Sequence, residues 1–324
     1  MALWQSIVLI VSGLGLLIWA ADRLVMAASS LASRHGVSPL LIGLLIVGFG
    51  TSAPEMFISA MSSLNRESGI AVGNALGSNI ANIGLVLGVA ALIAPLQVPA
   101  SVLKREYPVL LLVTAGTCLL MLNGAISRLD GAILLAALLG LVALLLWVSR
   151  RKPEVAEAVV GDDLPETSLR TKPALLWLGL SLLLLPLSSQ MLVTGASSVA
   201  MLMGVDPVVI GLSVVAIGTS LPELAAAVAS AVRREHELIV GNIIGSNVFN
   251  LLAVLGIAGM VRPLELAPAL MSRDYLWMSV FTLVLVALVQ PWRRPLQLGR
   301  PAGCLLLAGF VGYMVLLAQS EILA

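Results

Sequence analysis

Apolar stretches of 17 or more residues, each long enough to cross a hydrocarbon core of about 30 Å as a helix, fill nearly the whole chain. Charges, Gly and Pro divide them into ten candidate spans: 4–33, 38–64, 69–94, 107–122, 131–148, 173–202, 206–232, 237–261, 275–291 and 302–319. Between the fifth and sixth lies Ser149 to Lys172, which carries 10 of the 35 charged residues and two prolines and reads as a flexible linker. The expected fold is therefore all-α and polytopic, in a membrane. Residues 4–20 could pass for a signal sequence, but no basic segment precedes them and the apolar pattern continues past residue 30, so an uncleaved first helix is expected.

The polar positions repeat. GLLIVGFGTSAPE at 43–55 aligns with GLSVVAIGTSLPE at 211–223, and GNALGSNIAN at 73–82 with GNIIGSNVFN at 241–250, at a constant offset of 168. The match extends upstream, where LVMAASS (24–30) meets LVTGASS (192–198), and downstream, where Arg105, Glu106 and Tyr107 meet Arg273, Asp274 and Tyr275. Five spans separate equivalent positions, an odd number, so the halves must lie upside down relative to each other, as in the inverted repeats of secondary transporters. The spacing predicts ten transmembrane helices in two inverted five-helix repeats: 1–148 (motif region 43–82) and 173–324 (motif region 211–250), joined by the linker 149–172.

Composition agrees, with 59% hydrophobic and only 11% charged residues, far from the roughly 25% charged of soluble domains. Net charge is +1 and no basic run exceeds Arg150, Arg151 and Lys152, so neither nucleic acid nor an acidic protein partner is suggested. Lys and Arg fall thirteen on the linker side against four on the other, which puts the linker in the cytoplasm and both termini outside. Trp4, Trp147, Trp177 and Trp292 lie near span ends, as interfacial anchors do. Cys118 and Cys304 read as buried inert thiols, and His35 and His236, unmatched under the offset, as solvated loop residues.

Only Asp22, Glu55 and Glu223 of the 17 acidic residues fall within apolar segments, where an unpaired ionised group costs several kcal/mol. Both glutamates occupy the same motif, GTSxPE. Gly50 and Gly218 loosen the helix there, while Pro54 and Pro222 remove a donor and clash with the carbonyl four residues earlier, freeing backbone oxygens. Thr51 and Ser52 share the helical face of Glu55, and Thr219 and Ser220 that of Glu223. In the second motif Ser78 aligns with Asn82 and Ser246 with Asn250, with Asn74 and Asn242 a turn away; Gly73, Gly77, Gly241 and Gly245 permit the close approach that brings these faces to the carboxylates. Every group offered is oxygen, which suits hard cations such as Ca2+ or Na+. Ser, Thr, Asn and Gly also glue membrane helices together, and Ser78, Asn74 and Asn79 fit that role equally. Asp22, beside Arg23 and matched by Gln190, reads as a local ion pair or a snorkelling group.

GTSxPE followed by GNxxGSNxxN, twice, resembles the alpha-repeats of the sodium/calcium exchanger family within the cation/calcium antiporters, particularly its compact prokaryotic members. The resemblance covers roughly 21–110 and 189–280. It implies a ten-helix antiporter of the cytoplasmic (inner) membrane, not an enzyme, that exchanges Na+ for Ca2+ by alternating access. Glu55, Thr51, Ser52, Ser78 and Asn82 would ring the cation sites with Glu223, Thr219, Ser220, Ser246 and Asn250, and the long helices 4–33 and 173–202 would slide against the rest. Asn250 stands where some family members, the potassium-dependent ones included, carry Asp, which weakens a case for potassium coupling. No cofactor is implied beyond the transported Ca2+ and Na+, and no protein partner beyond the bilayer. H+/Ca2+ exchange is the alternative that protonatable glutamates leave open. A channel would use the same ligands but not a doubled, inverted site, and no nucleophile and base are paired as an enzyme needs.

Overall fold

The computed structural model describes residues 2–151, 169–204, 216–289 and 297–322. The core of the linker, residues 206–215 of the seventh expected span, and Trp292 lie outside the described residues. Apart from four two-residue strands, the regular structure is helical. The principal helices are α1 (Leu3–His35), α2 (Pro39–Thr51), α3 (Ala53–Leu64), α4 (Ser68–Ile93), α5 (Glu106–Met121), α6 (Arg128–Arg151), α7 (Thr171–Leu202), α8 (Leu221–Val232), α9 (His236–Val261), α10 (Leu270–Leu288) and α11 (Arg300–Ile322). Among the described residues, seven helices are long and apolar enough to cross a membrane, or eight if α2 and α3, bent by 40° at their junction, form one span.

Local chemistry sets the helix ends. Gly36, at φ 59°, closes α1 in the left-handed conformation that glycine adopts without strain, while the Val37 amide donates to the Ala32 carbonyl. Ser38 then caps α2 through its hydroxyl, which accepts from the Leu41 amide, with Pro39 in the first turn. Ser127 and Asp130 open α6 reciprocally: the carboxylate accepts from the Ser127 amide at 2.8 Å and the Ser127 hydroxyl accepts from the Asp130 amide at 3.2 Å.

Burial separates two kinds of helix. The 18-residue apolar window of α9 is 100% buried and that of α4 72%, whereas that of α6 is 11% buried and leaves Leu129 and Leu139 largely exposed. With the bilayer as solvent, outward leucines need no protein partner, and the helices that carry GNxxGSNxxN form the core. α1 and α7 pack along each other outside that core.

The two sequence repeats interlock. Leu96–Gln97 after α4 pairs antiparallel with Gln297–Leu298 before α11, and Ala125–Ile126 before α6 pairs with Leu264–Glu265 after α9. Accordingly α11 packs on the end of α4 and α6 on the end of α9, so each half's last helix covers the other half's central one. At the contact of α4 and α9, the Asn79 side-chain amide donates to the backbone carbonyl of its own equivalent, Asn247, at 3.3 Å.

Candidate functional site

The GTSxPE segment breaks its helix in each half. In the first, α2 ends at Thr51, Ser52 forms the turn with its amide donating to the Gly48 carbonyl at 3.1 Å, and Pro54 sits in the first turn of α3. The second half has a short helix Ala216–Thr219, a turn at Ser220, and Pro222 in the first turn of α8. Glu55 and Glu223 thus occupy equivalent first turns, where the positive end of a helix favours a carboxylate. Both are fully buried, at 0% and 2% exposure.

The second motif widens where its last asparagine falls. A π-helical turn begins at Asn82 in α4 and at Asn250 in α9, a local loosening that often accompanies a functional position. Across the contact of α4 and α9, the Asn82 amide nitrogen donates to Asn247 Oδ1 at 3.4 Å and the Asn250 amide nitrogen to Asn79 Oδ1 at 3.1 Å.

What these elements leave over is a set of oxygens. Among the described residues, Ser52 Oγ, both carboxylate oxygens of Glu55 and Asn82 Oδ1 are buried without a hydrogen-bond partner, and so are their equivalents on Ser220, Glu223 and Asn250. An orphaned buried polar atom costs about 1–3 kcal/mol, more if charged, so eight of them in two matched sets are not a packing accident. Oxygens so arranged can replace the water shell of a hard cation.

Thr51 Oγ1 lies 3.3 Å from Ser246 Oγ and 3.3 Å from Asn242 Oδ1, which makes a closed polar knot. The equivalents Thr219, Ser78 and Asn74 line a cavity of about 530 Å³, walled also by Gly73, Gly77, Arg273, Asp274 and Tyr313. There the Asn74 amide donates to the Glu55 backbone carbonyl at 3.1 Å and to Ser59 Oγ at 2.9 Å. Asp274 is held by Arg273 at 2.7 Å and by the Tyr313 hydroxyl at 3.0 Å.

Several sequence expectations are corrected. Gly241 and Gly245 do meet a neighbour closely, since a Cβ would fall 2.2 Å from the Leu40 carbonyl and 2.3 Å from that of Leu44. For Gly73 and Gly77 the expectation lies outside the described residues, since positions 208 and 212, the equivalents of Leu40 and Leu44, are not among them. The Gly218 carbonyl, expected to be freed, accepts from Ser189 Oγ at 2.5 Å. Asp22 does not pair with Arg23: it accepts from Arg233, 211 residues away, and Arg23 lies over the rings of Trp19 and Trp177. Cys304 is exposed and Cys118 half-buried, since α11 presents its side to the lipid. His236 is the first residue of α9 and half-buried, and His35 the last of α1.

The sequence assigns no role to Asn247 and leaves Asn79 open between helix packing and the site. Their identical place under the 168-residue offset is the signal that could have found them. Ser59 gave no such signal, because its equivalent is Ala227.

An all-helical chain with long apolar helices and buried, symmetry-matched oxygens defines a polytopic membrane protein of the secondary-transporter class. The model of the sodium/calcium exchanger protein family matches residues 5–147 and 173–319, and the chain belongs to that family. It is 41% identical over 316 residues to the inner membrane protein YrbG of Escherichia coli, covering 95% of each chain. It is 42% identical over 316 residues to the putative antiporter CaxA of Alkalimonas amylolytica, covering 97% of this chain and 98% of the relative. Among solved structures, the sodium-calcium exchanger NCX_Mj soaked with 100 mM Na+ and 10 mM Sr2+ superposes with a TM-score of 0.79 at 29% identity, covering 97% and 99%.

Proposed function

We propose that this chain is a secondary active antiporter that moves Ca2+ against Na+ across the cytoplasmic membrane by alternating access, through a site shared between its two inverted halves. The observation that carries the proposal is the matched set of unpartnered buried oxygens on Ser52, Glu55 and Asn82 and on Ser220, Glu223 and Asn250. Thr51 and Ser246, and Thr219 and Ser78, complete the ring; in this reading the first pair exchanges its mutual contact for the cation when that side loosens. Membership of the sodium/calcium exchanger family and the likeness to NCX_Mj support the same substrates.

Two carboxylates balance one Ca2+ or two Na+, so the ions compete for the same oxygens and binding is mutually exclusive. In this reading the ten spans into which the sequence divides give the inverted topology its odd offset. The excess of Lys and Arg beside the linker supports a cytoplasmic linker with both termini outside. In that orientation the cavity reaching Ser78 and Thr219 opens away from the cytoplasm, on the side of Arg273.

The decisive experiment is 45Ca2+ flux in vesicles holding the purified protein, against Na+, K+ and H+ gradients imposed separately. Flux should follow the Na+ gradient alone. Flux that ignores Na+ and follows pH would replace this coupling with H+/Ca2+ exchange. Glu55→Gln and Glu223→Gln should each abolish transport in protein that still elutes as a folded species, and exchange retained in both would overturn the site.

A further inference from the structure

An amide side chain has two faces of opposite use to a cation. Its carbonyl attracts, its NH2 repels, and rotation by about 180° about the last torsion exchanges them at little steric cost. A buried asparagine that ligates a cation therefore needs something to hold its NH2 elsewhere.

We propose that Asn79 and Asn247 are the positioning residues that do this, each for the ligand asparagine of the opposite half. This rests on the reading of Asn82 and Asn250 as cation ligands. The Asn250 amide nitrogen donates to Asn79 Oδ1 at 3.1 Å, and the Asn82 amide nitrogen to Asn247 Oδ1 at 3.4 Å. In both residues the opposite limb of the amide, Oδ1, is buried and has no partner. Donor limbs anchored and acceptor limbs left over, in two copies related by the 168-residue offset, is the pattern that orientation requires and simple helix glue does not.

The anchors are themselves placed to accept. Both are buried, at 2% and 1% exposure. The Asn79 NH2 is engaged by the Asn247 backbone carbonyl at 3.3 Å and by Met278 Sδ at 3.5 Å, which turns Asn79 Oδ1 toward Asn250. The Asn247 NH2 has no partner, so its orientation is held less firmly. The Asn79 to Asn250 arm is accordingly the stiffer and should carry the larger effect. Because the anchors stand at the contact of α4 and α9, each half orients a ligand that its own sequence neighbours do not.

The test is Ca2+ uptake by the full chain reconstituted in vesicles, read as KM and maximal rate separately. Asn79→Ala removes the acceptor and should raise KM for Ca2+ about tenfold, the worth of one buried hydrogen bond, with the maximal rate kept within about twofold. Asn250→Asp supplies an oxygen in either rotamer, so adding Asn79→Ala to it should shift KM by less than about twofold. A purely structural Asn79 would instead lower rate and thermal stability alike in both backgrounds, and that result would overturn the proposal. Should Asn79→Ala fail to fold, Asn247→Ala with and without Asn82→Asp repeats the cycle in the other half. The controls Asn250→Ala and Asn82→Ala separate the two levels. If they leave KM unchanged, the ligand reading falls; if they raise it and the anchor variants do not, only the positioning role falls.

Discussion

The two motif regions share nearly every polar residue and differ at one beside the motif, where Ser59 of the first half stands opposite Ala227 of the second. In one, Leu40 and Leu44 of α2 press their carbonyls onto Gly241 and Gly245, and Thr51, Ser246 and Asn242 close into a knot. In the other, Gly73 and Gly77 border a cavity onto which Ser78, Thr219 and Asn74 face. One residue accounts for part of the difference. Ser59 donates to the Ala71 carbonyl and accepts from Asn74, which keeps Asn74 beside the Glu55 carbonyl. At the equivalent Ala227 there is no hydroxyl, so the Asn242 NH2 finds no partner and its carbonyl turns to Thr51 and Ser246. A single difference beside a duplicated motif therefore gives its two equivalent asparagines different partners.

The largest way to break this comparison is to fill the glycines. Gly245→Val drives side-chain atoms into the Leu44 backbone, which cannot yield as a side-chain tip would, and should cost about 3 kcal/mol or more. Gly77→Ala should stay within about 1 kcal/mol, since nothing among the described residues opposes it. Thermal unfolding of the two purified variants checks the contrast, and equal losses would mean that the halves pack alike. A middle-sized effect is expected from grafting the hydroxyl. Ala227→Ser gives the Asn242 NH2 an acceptor, should loosen the knot, and should change Ca2+ KM a few-fold, while Ser59→Ala frees Asn74 and shifts it in the opposite sense. Transport kinetics of both variants, measured with Ca2+ supplied from either side, decide this, and shifts of the same sign would disconnect Ser59 from the asymmetry.

The smallest effect concerns the partly exposed pair of Asp22 and Arg233, which has no counterpart because Gln190 and Asn65 stand at the equivalent positions. Asp22→Asn should cost under about 1 kcal/mol, as exposed ion pairs do, and its dependence on salt in a melting assay checks it.

The sequence made the apolar helices, the broken GTSxPE segments and the buried pair of glutamates legible, because each follows from a local rule: span length, proline geometry, the cost of a charge in lipid. It could not disclose where Asp22 finds its partner, since Arg233 is remote in the chain and only the packing of α1 against α8 brings them together. The π turns at Asn82 and Asn250 were equally silent, as neither Gly nor Pro marks their first residue. Nor could the motif reveal that Asn79 serves Asn250 and Asn247 serves Asn82, a relation that exists only between halves.

The exchanged strands and last helices bear on how the protein is made. α4, a core helix of the first repeat, is covered at its far end by α11, which leaves the ribosome last. A nascent chain that has completed residues 1–148 consequently has the residues of one repeat but not its packing, and Gly88 waits for Gly303 until the final helix is inserted. Assembly thus closes when α11 reaches α4, and a chain truncated before Arg300 would leave the membrane holding two unfinished halves.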